Sequence, residues 1–600
     1  MKQRKTKIVC SMGPTTESLD VVCDLLRSGM NVARFNFSHS DHEYHLAGIR
    51  RVREASRITG IPCALLLDTK GPEIRTGIIP DGGVLQIRAG DRFIFTNDDG
   101  PVVPATESSP GRIPLSWKKL PEEIKPDCRI LVADGLVDFL VLATDGRSEI
   151  TAVAQNGGSF GSRKNVNVIG IHPDVPILGE QDKRDIEFAI NQGLDYIAAS
   201  FVSTAADVVS ILRFIEPHES PIRVIAKIEN EEGLNNIDEI LAVSAGIMVA
   251  RGDLGVQLAT ERIPLAQKKI IAACNAAGKP VITATQMLDS MIVNPRPTRA
   301  ELTDVANAIF DGTDAVMLSG ETANGAYPVE AVRTMERIAL TVESSDEYRQ
   351  KMWQYHNTHA KRDTIAETVA CSAYRTATEI EAVALVTPTL SGNTARLLST
   401  FRPEQPIIAA TPSETVLRQL LLNWGVFPSL VAVADESETM IQNSLRAALD
   451  SGRLKLADKV VMVAGLPIVS PVMVNSIRVL FVGSVIGRGV NAGGGTPDKR
   501  WRATGRVVRA ETADEALAAL RQRGGEILVT RNLDMSFVPL LRLVNGLVIE
   551  QPTELSSEIL AMINPSLVWV SQVSRAMKVL EPGLTVTLDS REKIVYEGTV

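Results

Sequence analysis

Cysteine, aromatic residues and an excess of positive charge are what this 600-residue chain has least of. Its six cysteines, at positions 10, 23, 63, 128, 274 and 371, form no C-x-x-C pair. This argues against a disulfide framework or a thiolate zinc site and predicts reduced, buried thiols in a cytoplasmic protein. Aromatic residues make up 4% of the chain, too few for a surface that stacks bases. The 63 Lys and Arg against 71 Asp and Glu leave a formal charge of −8, so no basic field advertises nucleic acid or an anionic membrane. The longest uncharged stretch, Val460 to Ile477, is interrupted by Pro467 and Pro471 and makes a poor membrane span. The opening MKQRKTKIVC has charge without an apolar stretch, which predicts no secretory leader.

What is present is apolar enough for several cores: 44% hydrophobic against 22% charged. At about 150 residues per domain, the length predicts roughly four units. Short β-branched runs recur, each followed by a helical pattern. Three come early, Lys7–Cys10, Asn31–Phe35 and Cys63–Leu67. Five come later, Asp195–Val202, Ile222–Ile228, Gly246–Ala250, Pro280–Ala284 and Asp314–Leu318, separated by helical segments such as Glu261–Ala277 and Thr298–Phe310. Strands alternating with helices predict a parallel sheet, and eight of them close a (β/α)₈ TIM barrel built from 1–69 and 172–345. Residues 70–171 then form an insertion rich in Gly, Pro and Asp, with short strands and no helix, which reads as a small all-β lid. From 346 to 486 the pattern resets to a doubly wound α/β domain. The stretch GRGVNAGGGTPDKR (487–500) reads as a flexible linker, and 501–600 as a C-terminal α/β extra domain.

In such a barrel the chemistry collects where strands end. The second strand run leads into Arg34-Phe35-Asn36-Phe37-Ser38-His39, and the third into Asp68-Thr69-Lys70. The fifth leads into Lys227-Ile228-Glu229, the sixth into Arg251-Gly252-Asp253, the seventh into Thr285-Gln286 and the eighth into Ser319-Gly320-Glu321. Glu229 and Asp253 are hard oxygen donors suited to Mg²⁺ or Mn²⁺. Lys227 lies two residues from Glu229, so both side chains point to one side of a strand. A lysine beside carboxylate-held metal suits a transferring phosphoryl group or an enolate, although the same pair also fits a buried ion pair. Arg34 and Arg75 add forks for phosphate. Together these residues predict an acidic, phosphorylated substrate bound through a metal. His39, His42 and His45 read as a loop and helix start, not a metal site.

Read together, RKTKIVCSMGP, GMNVARFNFSH, LLLDTKGPEIRTG, VIAKIEN, IMVARGDLG, KPVITATQML and NPRPTRAELTDVANAIFDGTDAVMLSGET resemble the pyruvate kinase family in order and spacing over roughly residues 1–485. The resemblance implies a TIM barrel with an inserted β-barrel lid and an α/β effector domain. It implies phosphoryl transfer from phosphoenolpyruvate to ADP, giving pyruvate and ATP in the last step of glycolysis, with allosteric regulation and a homotetramer. By motif position, Glu229 and Asp253 hold the divalent metal, Lys227 stabilises the phosphoryl group, and Arg34 binds phosphate. Gly252, Asp253 and Thr285 hold the substrate carboxylate, and Thr285 also relays a proton. Asn36, Ser38, Asp68 and Thr69 match the K⁺ site, Glu73 marks K⁺ dependence, and His39, Arg75 and Asn36 match the nucleotide side.

Two stretches qualify the resemblance. Thr387, Thr389, Ser391, Gly392, Asn393 and Thr394 suit a phosphorylated effector at a helix start, but the later loop, Pro467–Asn475, has no glycine. This points away from fructose bisphosphate and toward sugar monophosphates or AMP. Residues 526–600 resemble the swivelling phosphohistidine domain of phosphoenolpyruvate-utilising enzymes. Here Ser557, in Leu555-Ser556-Ser557-Glu558, takes the place of its histidine, and no histidine follows His359. A phosphohistidine relay is excluded, leaving a structural or regulatory appendage. The residues also admit two other readings. One is an Mg²⁺-dependent lyase or aldolase, which would need neither the lid nor the K⁺ residues. The other is a silent metabolite sensor, against which Lys227, Glu229, Asp253 and Thr285 are all intact.

Overall fold

A computed structural model describes residues 4–598 except 134, 170–174, 360–362, 435, 467–473, 484, 495–500, 521–525, 554–559 and 561. The glycine-free loop over 467–473 and the Leu555–Glu558 run therefore lie outside the described residues. The chain divides into two units: residues 1–371 with 389–430, and residues 372–388 with 431–600. The stretch read as one effector domain, 346–486, is thus shared between them.

The first unit is built on a closed parallel barrel. Its strands are Lys7–Ser11, Val32–Asn36, Ala64–Asp68, Tyr196–Ala199, Arg223–Ile228, Gly246–Ala250, Val281–Ala284 and Ala315–Leu318, within two residues of the eight expected at most ends. They are almost wholly buried because helices cover the outer face while the inner face fills the barrel. Alternation sorts the two faces. Val9, Val32, Leu66, Ala198, Ile225 and Met248 pack inside, while Ile8, Ala33, Leu67 and Ile197 pack against the helices. The helices stop where their sequences dictate. The Arg299–Asp311 helix opens on a Thr298–Glu301 capping box and ends at Gly312, whose φ of 96° suits glycine.

Leu421 and Leu422 seal the end of the barrel opposite the strand C-termini. The segment carrying them is anchored there by Arg418 to Asp195 (2.9 Å) and Arg402 to Asp314 (3.0 Å). The lid between the third and fourth barrel strands is a seven-stranded sheet. A Thr76–Leu115 bridge ties its two edges, with Gly77 N donating to Pro114 O (2.8 Å) and Ser116 N to Arg75 O (2.9 Å). The lid is therefore a small β-barrel, whose described residues add the one-turn helix Leu120–Glu123 and a 3-10 turn at Pro80–Gly82.

In the second unit, Ala384–Pro388 pairs in parallel with Lys459–Ala464, which pairs antiparallel with Ser476–Phe481. The C-terminal part is an eight-stranded sheet whose end strands are Val485–Arg488 and Asn491–Gly493. These two are consecutive in the chain. The first pairs with Ile594–Glu597 and the second with Val568–Ser571, so one short segment closes the sheet on itself. This corrects the expectation of a flexible linker over 487–500: residues 487–493 are a structural seam. The glycines are there for closeness. A Cβ at Gly489 would lie 2.3 Å from Val570 Cγ1, and one at Gly494 would collide with Leu567 O. Composition reads such a stretch as loose, whereas its backbone is packed against neighbouring strands. No helix among the described residues is long and apolar enough to cross a membrane.

Candidate active site

The barrel interior ends in a polar layer. Ser11, Arg34, Asp68, Ser200 and Lys227 each follow, by two residues, an inward apolar residue of the first five strands. Strand alternation therefore turns them all into the mouth. Lys227 Nζ lies 2.9 Å from Asp68 Oδ1, 2.9 Å from Glu229 Oε1 and 2.6 Å from Ser200 Oγ. Burial works against its charge, but Asp68 and Glu229 outweigh burial and raise its pKa. Asp68 Oδ2 accepts from Arg34 Nε (2.6 Å), and Arg34 Nη1 donates to Ser11 Oγ (2.7 Å). Against the upward pull of burial, Arg34 and Lys227 hold the Asp68 carboxyl below its ordinary value.

Glu229 is buried, and Phe201 N donates to its Oε2 (2.6 Å). Burial, opposed by Lys227 and reinforced by the charge of Asp253, lifts the Glu229 carboxyl to about 7. Buried Glu229 and part-buried Asp253, near enough for the charge of one to act on the other, are an oxygen donor set that a hard dication satisfies. Glu229 and Asp253 therefore fit Mg²⁺ or Mn²⁺.

Asp253 and Gly252 sit in the first turn of the Arg251–Gln257 helix. Gly252 N donates to Thr285 Oγ1 (2.8 Å), which donates to Ala284 O (2.7 Å). Thr285 and Gln286 both have left-handed backbones, with φ of 67° and 53°. Asn36 Oδ1 accepts from Ser38 N (3.2 Å), and Phe37 N donates to Asp68 O (3.0 Å), so the ends of the second and third strands meet. Thr69 Oγ1 accepts from Ser200 N (3.1 Å).

Other expected residues are engaged elsewhere. Arg75 donates to Glu73 through Nε (2.8 Å) and to Arg163 O (2.9 Å). Glu73 also lines a cavity of about 420 Å³ with Phe201, Asn230 and the lid's Asn167. His39 is exposed. His42 pairs with Asp185 (2.6 Å), and buried His45 stacks on Phe37 at 4.1 Å, so both support the Asp41-capped helix His42–Thr59. Glu321 accepts from Leu288 N (3.0 Å) and Ser319 N (2.7 Å), bracing a loop. Thr387 is buried in its strand in the second unit. In the first unit, Gly392 N donates to Thr389 Oγ1 (2.9 Å) and Asn393 N to Ser391 Oγ (3.4 Å), with Thr394 in the first turn of Asn393–Thr400.

Ser11, Ser200 and Arg251 escaped the sequence reading as site residues. The signal for the two serines was parity, since each falls two residues beyond an inward apolar residue of its strand.

The family model for the pyruvate kinase barrel domain matches residues 3–332, and that for the pyruvate kinase alpha/beta domain matches 367–480. The chain belongs to the pyruvate kinase family. A pyruvate kinase of Geobacillus stearothermophilus is 42% identical over 600 residues, and one of Bacillus licheniformis is 41% identical over 597; each alignment covers 99% of both chains. A crystal structure of a pyruvate kinase from Cryptosporidium parvum is 40% identical with a TM-score of 0.75, covering 80% of this chain and 96% of that one. The activity is accordingly transfer of the phosphoryl group of phosphoenolpyruvate to ADP, giving pyruvate and ATP. The full-length alignments extend beyond residue 486, so these bacterial pyruvate kinases share the C-terminal part.

Proposed function

We propose that Lys227, Arg34 and Thr285 carry this reaction, with Glu229 and Asp253 holding Mg²⁺ or Mn²⁺. The observation behind this reading is Lys227 Nζ lying 2.9 Å from both Asp68 and Glu229 at the mouth of the barrel. Its ammonium offsets charge while the bond from phosphorus to the enol oxygen breaks and a bond to a β-phosphate oxygen of ADP forms. Arg34 orients the phosphate. The amides of Gly252 and Asp253, with Thr285, hold the carboxylate, the Gly252 N–H being shared between it and Thr285 Oγ1. The enolate left behind takes a proton at its methylene carbon by way of Thr285 and water, which completes pyruvate. The divalent metal that Glu229 and Asp253 would hold would supply neutralisation of the charge of the anionic substrate.

Asn36, Ser38, Asp68 and Thr69 hold K⁺, with Glu73 setting the dependence on it. His39, Arg75 and Asn36 serve the nucleotide. Thr389, Ser391, Gly392, Asn393 and Thr394 receive a phosphorylated effector, a sugar monophosphate or AMP, in a cytoplasmic homotetramer. The C-terminal part is a swivelling-type domain kept for structure or regulation. Its parallel strands Glu526–Thr530, Val544–Ile549 and Val568–Ser571 support that reading. An assay of pyruvate release, with Mg²⁺, K⁺ and a panel of sugar phosphates and nucleotides withheld or added in turn, tests these assignments. Turnover should vanish without a dication, fall sharply without K⁺, and rise at low phosphoenolpyruvate with a sugar monophosphate or AMP. Undiminished turnover in chelator would overturn the metal assignment.

A further inference from the structure

Two consecutive non-glycine residues, Thr285 and Gln286, hold left-handed backbones at the end of the seventh barrel strand. Such a backbone is strained for a residue with a side chain and persists only where its surroundings impose it, and the β-branched Thr285 is the more unusual of the two.

Arg251 imposes it. Its side chain is 10% exposed. Nε donates to Ala284 O (3.1 Å) and Nη2 to Thr285 O (2.6 Å), so one guanidinium edge grips the two carbonyls that lead into the turn. The other edge is anchored away from the mouth. Nη1 donates to Asp304 Oδ1 (2.8 Å) on the Arg299–Asp311 helix and to Gln267 Oε1 (3.2 Å) on the Ile263–Ala277 helix. The next residue closes the loop, because Gly252 N donates to Thr285 Oγ1. The same short segment therefore fixes both the backbone and the hydroxyl of Thr285. A planar fork spans these acceptors, whereas a lysine ammonium, a single point of charge, cannot.

We propose that Arg251, anchored by Asp304, is a positioning residue for proton delivery: it holds Thr285 Oγ1 at the mouth and acts on protonation of the enolate, not on phosphoryl transfer. This rests on the relay role given to Thr285 above.

The test is deuterium uptake into the methyl group of pyruvate in D₂O, followed by NMR, beside steady-state turnover of phosphoenolpyruvate. The variants are Arg251→Lys, Asp304→Asn, Thr285→Ala and the Arg251→Lys/Thr285→Ala pair. Asp304 is more exposed than Arg251, so Asp304→Asn keeps the test available if Arg251→Lys does not fold. Arg251→Lys should slow exchange about 10- to 100-fold, with Asp304→Asn intermediate and the KM for phosphoenolpyruvate changed less than about threefold. Groups that act as a unit are not additive, so Arg251→Lys should add no further loss to Thr285→Ala. Exchange lost in Thr285→Ala but intact in Arg251→Lys and Asp304→Asn overturns the positioning role alone. Additive losses also overturn it. Exchange intact in Thr285→Ala removes the relay reading, and the positioning role with it.

Discussion

Asp68 lies between two cations: its Oδ2 accepts from Arg34 Nε at 2.6 Å and its Oδ1 from Lys227 Nζ at 2.9 Å. A buried carboxylate shared in this way holds two positive groups, on the second and fifth strands of the barrel, at fixed positions across the mouth while lowering their mutual repulsion. The mouth is thereby prepared for a phosphorylated anion, and its charges need little rearrangement when substrate arrives.

Lys227→Met should abolish most phosphoryl transfer while the barrel still folds, because Asp68 keeps Arg34 as a partner. Loss of one such electrostatic contact costs about 10²–10³-fold in rate. Turnover and circular dichroism on the same sample check both halves, and near-normal turnover would remove Lys227 from the chemistry.

Replacing K⁺ with tetramethylammonium should cut activity sharply, and Glu73→Lys should restore much of the loss. Glu73 accepts from Arg75 at 2.8 Å, so the substitution also releases Arg75, and the KM for ADP should shift with it. A wild-type enzyme indifferent to monovalent cations would refute the K⁺ assignment.

Asp195, at the sealed end of the barrel, is raised to about 6 by burial, against the pull of Arg418 and of the Leu65 amide. Its folded value lies above the unfolded one of about 3.9, so its contribution to stability is complete below pH ~4 and is lost as pH rises toward 6. The stability difference between wild type and Asp195→Asn should therefore shrink by on the order of 2 kcal/mol between pH 4 and 6.5. Urea midpoints measure it; a difference that grows with pH contradicts the burial argument.

Two truncations should behave differently. Every proposed catalytic residue precedes position 322, so removal of 484–600 should leave saturated turnover near wild type. Stability should fall, because Phe481 and Ala457 lose the cover of Tyr596 and Ile594. Removal of 501–600 should be worse, since it leaves the 485–494 seam without the strands it joins. Melting temperature and light scattering separate the two, and equal behaviour would mean that 485–494 needs no partner strands.

What the sequence determined by itself was whatever depends on local order. Fully apolar runs spaced by helical segments specified eight barrel strands, and period-two alternation put Lys227 and Glu229 on one side. The long motifs carried the family. Tertiary structure decided what depends on neighbours distant in the chain. Asp68 is a partner of Lys227 only because the third and fifth strands close on the same mouth, 159 residues apart in sequence. Arg251 grips Thr285 because the sixth and seventh strands lie side by side. The glycines of 487–494 looked like freedom when only composition was visible. They are tight packing once Val570 and Leu567 are seen against them, because a missing side chain permits motion in solvent and close approach in a sheet.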